Sequence, residues 1–254
     1  MKKKILFLAV LIFSIFSVFP ITKKDIAKAS LSNIEKLVSK KKLANFTAND
    51  GSNALQVAIQ VENFLIAEWL AENEICDPNH QNVFGRTAIN DAIDSGNIDI
   101  LKILIEHGTR IKKVRYLQNP IVQTVATGNL EMAQVFKELG EDYTIVSDGK
   151  NMIHLAVMNF QPEMIPFLVE SGAEINAEDD ENLTPLLIAI KNDEPEQISV
   201  LIENGAEIEK RNADGQTPIF FAIENFSGAA LQTLIDKKAD IEAKDTKGRT
   251  PFLF

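Results

Sequence analysis

An all-α solenoid of stacked helix pairs with projecting loops is the fold this sequence predicts, and three observations predict it. One phrase recurs at a fixed interval: "NLTPLLIAI" (182–190), "GQTPIFFAI" (215–223) and "GRTPFLF" (248–254) place Thr184, Thr217 and Thr250 33 residues apart. A second phrase recurs between them, as "IDILKILIEHG" (98–108), "LEMAQVFKELG" (130–140), "PEMIPFLVESG" (162–172) and "PEQISVLIENG" (195–205), with apolar residues at helical spacing. Each of these ends on a glycine, Gly108, Gly140, Gly172 or Gly205, 21 residues after its unit begins. A period of this length marks a repeat array, because a unit of about 33 residues cannot bury its apolar face alone and must stack.

The N-terminus precedes the repeats and is of a different kind. "MKKK" is followed by the uncharged apolar run Ile5–Phe19, and Ala27-Lys28-Ala29 forms an A-x-A pattern before Ser30. This is the arrangement of a secretory leader. The expectation is a signal peptide over residues 1–29 and a mature, secreted or periplasmic chain starting near Ser30. The competing reading is an uncleaved membrane anchor over residues 5–21, since Ala29 lies far beyond the apolar run. Residues 30–52 read as an N-terminal capping element, in which "LSNIEKLVSKKK" (31–42) is a second helix without its first.

The array proper runs over residues 53–254, as about six repeats and an incomplete seventh. Units start at Asn53, Thr87, Asn119, Asn151, Thr184, Thr217 and Thr250. Two residues on, each carries an apolar side chain: Leu55, Ile89, Ile121, Ile153, Leu186, Ile219 and Phe252. Five residues on stands a small one: Ala58, Ala92, Thr124, Ala156, Ala189 and Ala222. Each unit therefore reads as turn, short helix, tight break, second helix and long loop. Thr-Pro opens first helices, threonine as a cap for free N–H groups and proline in the first turn, where no donor is needed. Pro162 and Pro195 are expected to open second helices. The glycine after the second helix takes the left-handed backbone that ends it. The unit at Asn119 lacks both Thr-Pro and the preceding glycine, so an irregular loop is expected before it, and unit one has Glu74 at its stop position. The chain stops inside what should be a first helix, which leaves the last interface to a partner, a second copy or missing sequence.

These residues resemble the ankyrin repeat, whose pattern runs G-x-T-P-L-H-x-A, a short break, L-L-x-x-G-A and a loop containing asparagine. The resemblance covers roughly residues 31–254. It implies paired antiparallel helices, projecting finger loops, and a protein that binds other macromolecules without catalysis. The histidine of that pattern is present only as His154. Gln56, Asn90, Val122, Leu187 and Phe220 occupy its place elsewhere.

Composition narrows the function. The 254 residues are 45% apolar and 24% charged, with a net charge of −10. Losing residues 1–29 would remove six lysines and one aspartate and make the chain more acidic still. Binding to nucleic acid or to an anionic bilayer by charge alone is disfavoured. The single cysteine, Cys76, excludes an internal disulfide and reads as a small loop residue. No motif of a hydrolase, phosphate loop or metal site is present. No catalytic, cofactor-binding or metal-binding residue is assigned, and no cofactor is expected.

His154 reads as a brace between loop and helix, His107 as a helix-end residue, and His80 as a loop residue. The acidic run "AEDDEN" (177–182) reads as a solvated loop, and Trp69 as packing in a second helix. The candidate partner-binding residues are of two kinds. "RIKKVRY" (110–116) puts Arg110, Lys112, Lys113, Arg115 and Tyr116 into one finger of an acidic chain, and arginine and tyrosine are favoured interface anchors. Phe160 and Phe226 stand at the break between helices, where the resemblance leads one to expect glycine. The expected function is a non-enzymatic protein-interaction scaffold, with an accessory subunit of an envelope enzyme as the alternative.

Overall fold

The computed structural model describes residues 22–30, 43–111, 119–147 and 149–253. Thirteen helices are described: α1 (Lys23–Lys28), α2 (Ala54–Gln60), α3 (Phe64–Glu72), α4 (Ala88–Ser95), α5 (Ile98–Glu106), α6 (Pro120–Thr127), α7 (Leu130–Glu138), α8 (Met152–Met158), α9 (Met164–Glu170), α10 (Pro185–Lys191), α11 (Pro195–Glu203), α12 (Pro218–Glu224) and α13 (Gly228–Asp236). Among the described residues one antiparallel pair, β1 (Val146–Ser147) and β2 (Lys150–Asn151), forms one finger in the register Val146 to Asn151. The chain divides into two compact units, residues 1–120 and 121–254.

In the first unit α2 pairs with α3 and α4 with α5, while α2 also stacks on α4 and α3 on α5. In the second unit α8 pairs with α9, α10 with α11 and α12 with α13; α8, α10 and α12 stack in one row and α9, α11 and α13 in another. Helices of seven to nine residues are too short to hold themselves, so this stacking supplies their stability. The small residue of each phrase sits where rows meet: Ala58, Ala92, Ala156 and Ala189 are fully buried. Replacing Ala189 with leucine is expected to overpack this interface and lower stability by about 1–3 kcal/mol. Urea melts of the variant check it, and an unchanged midpoint contradicts the register.

The starts of the first helices follow a common geometry. Asn53 with Gln56, Thr87 with Asn90, and Asn151 with His154 form reciprocal capping boxes. Thr184 accepts from the Leu187 N–H at 3.3 Å, and Pro185 and Pro218 are first helical residues. Thr217 differs: its hydroxyl is buried without a partner. Pro195 opens α11 as expected, whereas Pro162 precedes α9 by two residues, in the turn closed by the Ile165 N–H to Pro162 O bond.

The break between helices also repeats. Glu62, Gly96, Gly128, Phe160, Asp193 and Phe226 all have φ between 57° and 71°. Glu74 has φ 52°, so it adopts the stop conformation in place of glycine.

Four readings need correction. The N-terminal element does not lack its first helix: Thr22 to Ala29 form a capped helix, α1, whose Ile26 is buried and which packs on α2. The acidic run 177–182 is not wholly solvated, because Asp179 is buried as a loop brace. Trp69 is half-buried, at the edge of the core, since Ile66, Ala67 and Leu70 take the inward face of α3. At the C-terminus, Pro251–Leu253 form one 3-10 turn and not an α-helix. The segments 31–42 and 112–118, with the second capping helix and most of the basic finger, lie outside the described residues.

Candidate protein-docking surface

A surface that recognises another chain needs a stiff frame and exposed side chains on it. The frame is built by polar residues that tie each loop to its neighbours. At the finger bends, Asn82, Asp179, Asn212 and Asp245 each accept from the N–H groups two and four residues on, at 2.9–3.0 Å. Asp179 also pairs with Lys150 Nζ at 3.0 Å, and Asp245 with Arg249 at 2.7 Å. These donors and cations hold both carboxyl groups below the usual carboxylate range against the opposing effect of desolvation.

Further out, the side chain of Asn79 bonds Gly108 O and the Arg110 N–H, at 3.1 and 2.7 Å. Asn176 repeats this with Gly205 O and the Glu207 N–H, at 3.2 and 2.9 Å. A side chain in one finger thus satisfies the next finger's backbone, which fixes the distance between them.

The histidine slot links helix and finger. His154 is fully buried; its Nε2–H donates to Leu183 O at 3.1 Å, and its Nδ1 accepts from the Asn151 N–H at 3.2 Å. Gln56 makes the same two bonds with different atoms: Oε1 accepts from the Asn53 N–H at 3.1 Å and Nε2 donates to Arg86 O at 3.0 Å. Burial pushes the His154 pKa down, which disfavours the charged ring. His80 is also committed, its Nε2–H donating to Gly51 O at 2.7 Å. His107 is the C-cap of α5. Among the described residues no three His, Cys, Asp or Glu side chains gather into a metal site. Cys76 is buried 4.0 Å from Leu43 O, and desolvation pushes its thiol up.

Exposed side chains stand out against this frame. Phe160 is 56% exposed and Phe226 93% exposed, both in the left-handed region at φ 57°. Met158, two residues before Phe160, is 46% exposed. In the first unit the bend residues Val83 and Phe84 are exposed at the finger tip. Arg110 has an exposed side chain and borders a cavity of about 320 Å³ with Asp77, Asn79 and His80. Lys112, Lys113, Arg115 and Tyr116 lie outside the described residues. The structure therefore places Arg110, Phe160 and Phe226 at the surface, Arg110 in the first unit and the two phenylalanines in the second.

Two sets of residues escaped the sequence reading. Gln56 was visible only as a departure from histidine, although its amide offers the same acceptor and donor pair. Tyr143 was not singled out at all. It is buried, donates to Ala133 O at 2.9 Å, and meets the Phe167 ring edge-on at 5.0 Å. Its signal was an aromatic at a loop position where Ile175, Ile208 and Ile241 stand in later units.

Helix pairs braced by polar ladders, with exposed side chains at fingers and breaks, define a helical-repeat interaction module. The sequence model for "Ankyrin repeats (3 copies)" matches residues 25–115 and 153–245, and the chain belongs to the ankyrin repeat family. It is similar to the transient receptor potential cation channel subfamily A member 1 of Homo sapiens, 26% identical over 161 residues that are 59% of this chain and 14% of the channel. It is similar also to Rabankyrin-5 of Mus musculus, 28% identical over 55% of this chain and 12% of that one. The chain thus spans a small part of these relatives. Among solved structures, the human ASB11 ankyrin repeat domain superposes with a TM-score of 0.70 at 22% identity, covering 85% of this chain and 96% of that domain. The ankyrin repeat domain of Bcl-3 gives 0.64 at 20% identity, covering 81% and 94%. These likenesses show the fold. A fold of this kind is typically a non-catalytic module that binds protein partners.

Proposed function

We propose that the chain is an exported, non-enzymatic scaffold that holds a protein partner through the basic finger 110–116 and the exposed phenylalanines. The observation that carries the binding reading is Phe226. A phenylalanine there gains almost nothing from burial and occupies a backbone region that costs an L-residue about 1–2 kcal/mol relative to glycine. Its near-complete exposure supports a role in contact with a partner. The net charge of −10 supports a protein partner over nucleic acid, and makes a local basic finger a directional site for an acidic surface. The lysine-rich start and apolar run of residues 1–21 support export.

The test uses two variants and cross-linking in the native cell. Phe226→Gly is expected to leave stability unchanged or raise it by up to about 1 kcal/mol, while weakening partner capture. Changing Arg110, Lys112, Lys113 and Arg115 together to alanine is expected to leave the helical circular dichroism intact, to lower affinity and to flatten its salt dependence. Partner binding untouched at two ionic strengths by both variants defeats the docking assignment.

A further inference from the structure

We infer that three breaks of the second unit, at Phe160, Asp193 and Phe226, form one docking line, and that it takes a basic, extended segment of a protein partner with two apolar side chains about five residues apart. The assignment rests on the docking role given above to the two phenylalanines, which leaves the partner's chemistry open. Each of the three residues stands nine after its unit start, at Asn151, Thr184 and Thr217. The same two bonds close each break. The Phe160, Asp193 and Phe226 N–H groups donate to Val157, Ile190 and Ile223 O at 3.0–3.2 Å. The next residue's N–H donates to Ala156, Ala189 and Ala222 O at 2.9–3.2 Å. All three residues have φ 57°. Their Cβ atoms therefore leave equivalent backbones in equivalent directions, at the ends of α8, α10 and α12, which stack in one row.

The middle break carries charge where its two neighbours carry rings. Residues 158–163, 191–196 and 224–229 hold five carboxylates, Glu163, Asp193, Glu194, Glu196 and Glu224, against one cation, Lys191. All but the half-buried Glu194 are exposed, and none of the five enters an ion pair among the described residues. Asp193 is held in place by the Ala230 N–H, which donates to its Oδ1 at 2.7 Å and ties this break to the start of α13, beside Phe226. Aspartate visits the left-handed region through local hydrogen bonds, and phenylalanine has no such bond to offer. Met158 adds a second exposed apolar side chain at the Phe160 end.

Spacing and charge select the partner. Neighbouring packed helices lie about 8–10 Å apart, so the two phenylalanine positions are separated by about 16–20 Å. An extended chain rises about 3.3 Å per residue and crosses that gap in about five to six residues. Two apolar side chains on one such segment reach both rings while the residues between them pass the Asp193 break. Unpaired surface carboxylates attract Lys and Arg there and repel Asp and Glu, a choice that sets partner identity more than raw affinity. The basic finger of the first unit asks a partner for the opposite charge.

The experiment titrates the complete 254-residue chain against a fluorescent peptide in which two leucines enclose a run of lysines, read by anisotropy. The leucines stand about five residues apart. One control peptide has glutamates for the lysines, and another has the same composition with the leucines adjacent. The lysine peptide is expected to bind about tenfold tighter than either control, and less tightly as salt rises. Asp193→Asn, Glu194→Gln and Glu196→Gln together keep an acceptor for the Ala230 N–H and remove the charge. This variant, and Phe160→Gly with Phe226→Gly, are each expected to weaken lysine-peptide binding by about tenfold with circular dichroism unchanged. Equal binding of the lysine peptide and either control overturns the inference, as does an affinity that either variant leaves untouched. Native-cell cross-linking separates the two failures. Partner capture weakened by Phe226→Gly, without a preference for the lysine peptide, removes the basic partner and leaves the docking role standing. Capture and peptide binding both untouched by the phenylalanine variants remove both. Self-association in sedimentation that the same variants abolish makes a second copy of the chain the occupant and overturns the separate partner.

Discussion

His154→Leu is expected to destabilise the second unit by about 2–4 kcal/mol, and His154→Gln by less than about 1 kcal/mol. Leucine fills the space but leaves the Asn151 N–H and the Leu183 carbonyl without partners in a buried site. Each such orphan costs roughly 1–3 kcal/mol, while a satisfied bond contributes about 1. Glutamine restores both bonds, as Gln56 does for Asn53 and Arg86. Urea denaturation of the two variants separates chemistry from shape. Equal losses for leucine and glutamine would mean that the ring's packing, and not its hydrogen bonds, holds the finger.

The same residue gives a pH signature. Burial lowers the His154 pKa from its ordinary 6.5, so the folded chain resists the second ring proton that the unfolded chain takes up. Stability is therefore full above about pH 6.5 and falls as pH drops from there toward the lowered folded value. Nδ1 also lies 2.8 Å from Asn151 Oδ1, a contact that an added proton would bridge, but desolvation is the larger effect. The carboxylates Asp179 and Asp245, held below 3.8, lose their contribution only at more acid pH. His154→Gln is expected to abolish the dependence near pH 6 and keep the acid one. A variant with the same slope near pH 6 as the parent would assign that slope to another group.

How much was legible follows from what the period can carry. The unit starts, the buried alanines and the left-handed breaks recur at fixed positions, and Phe160 and Phe226 were visible as aromatic residues in a glycine's place. What the period could not carry was function exchanged between residue types. Gln56 replaces a histidine because two atoms of each match, not because the residues look alike. Asp179 was hidden in an acidic run, since only the fold distinguishes the one carboxylate turned onto the Glu181 and Leu183 N–H groups from exposed neighbours such as Asp180. The first helix was missed for a related reason. Thr22, Asp25 and Ala27 fit the grid, but Lys24 stands where later units carry an apolar residue, so the phrase was not recognisable at the array's solvent-facing start.

Tyr143→Ala is expected to cost about 3–5 kcal/mol, the range for truncating a large buried aromatic. It is among the largest fully buried side chains, in a loop where its counterparts are isoleucines. The extra size reaches Phe167 of α9, where the two rings meet at 88°, and Lys137 lies over the other ring's face at 5.0 Å. Burial pushes the phenol pKa far up, so the hydroxyl stays a donor to Ala133 O across the usable pH range. Tyr143→Phe keeps the ring contact and loses only that bond, for a cost of about 1–2 kcal/mol including the orphaned carbonyl. Amide exchange localises the effect. The alanine variant is expected to free the loop from Glu141 to Val146 and the end of α7 before α10 to α13 respond, because a stacked array loses its contacts between neighbours first. Uniform loss of protection across α7 to α13 would instead show that the second unit unfolds as one body and that Tyr143 is part of its common core.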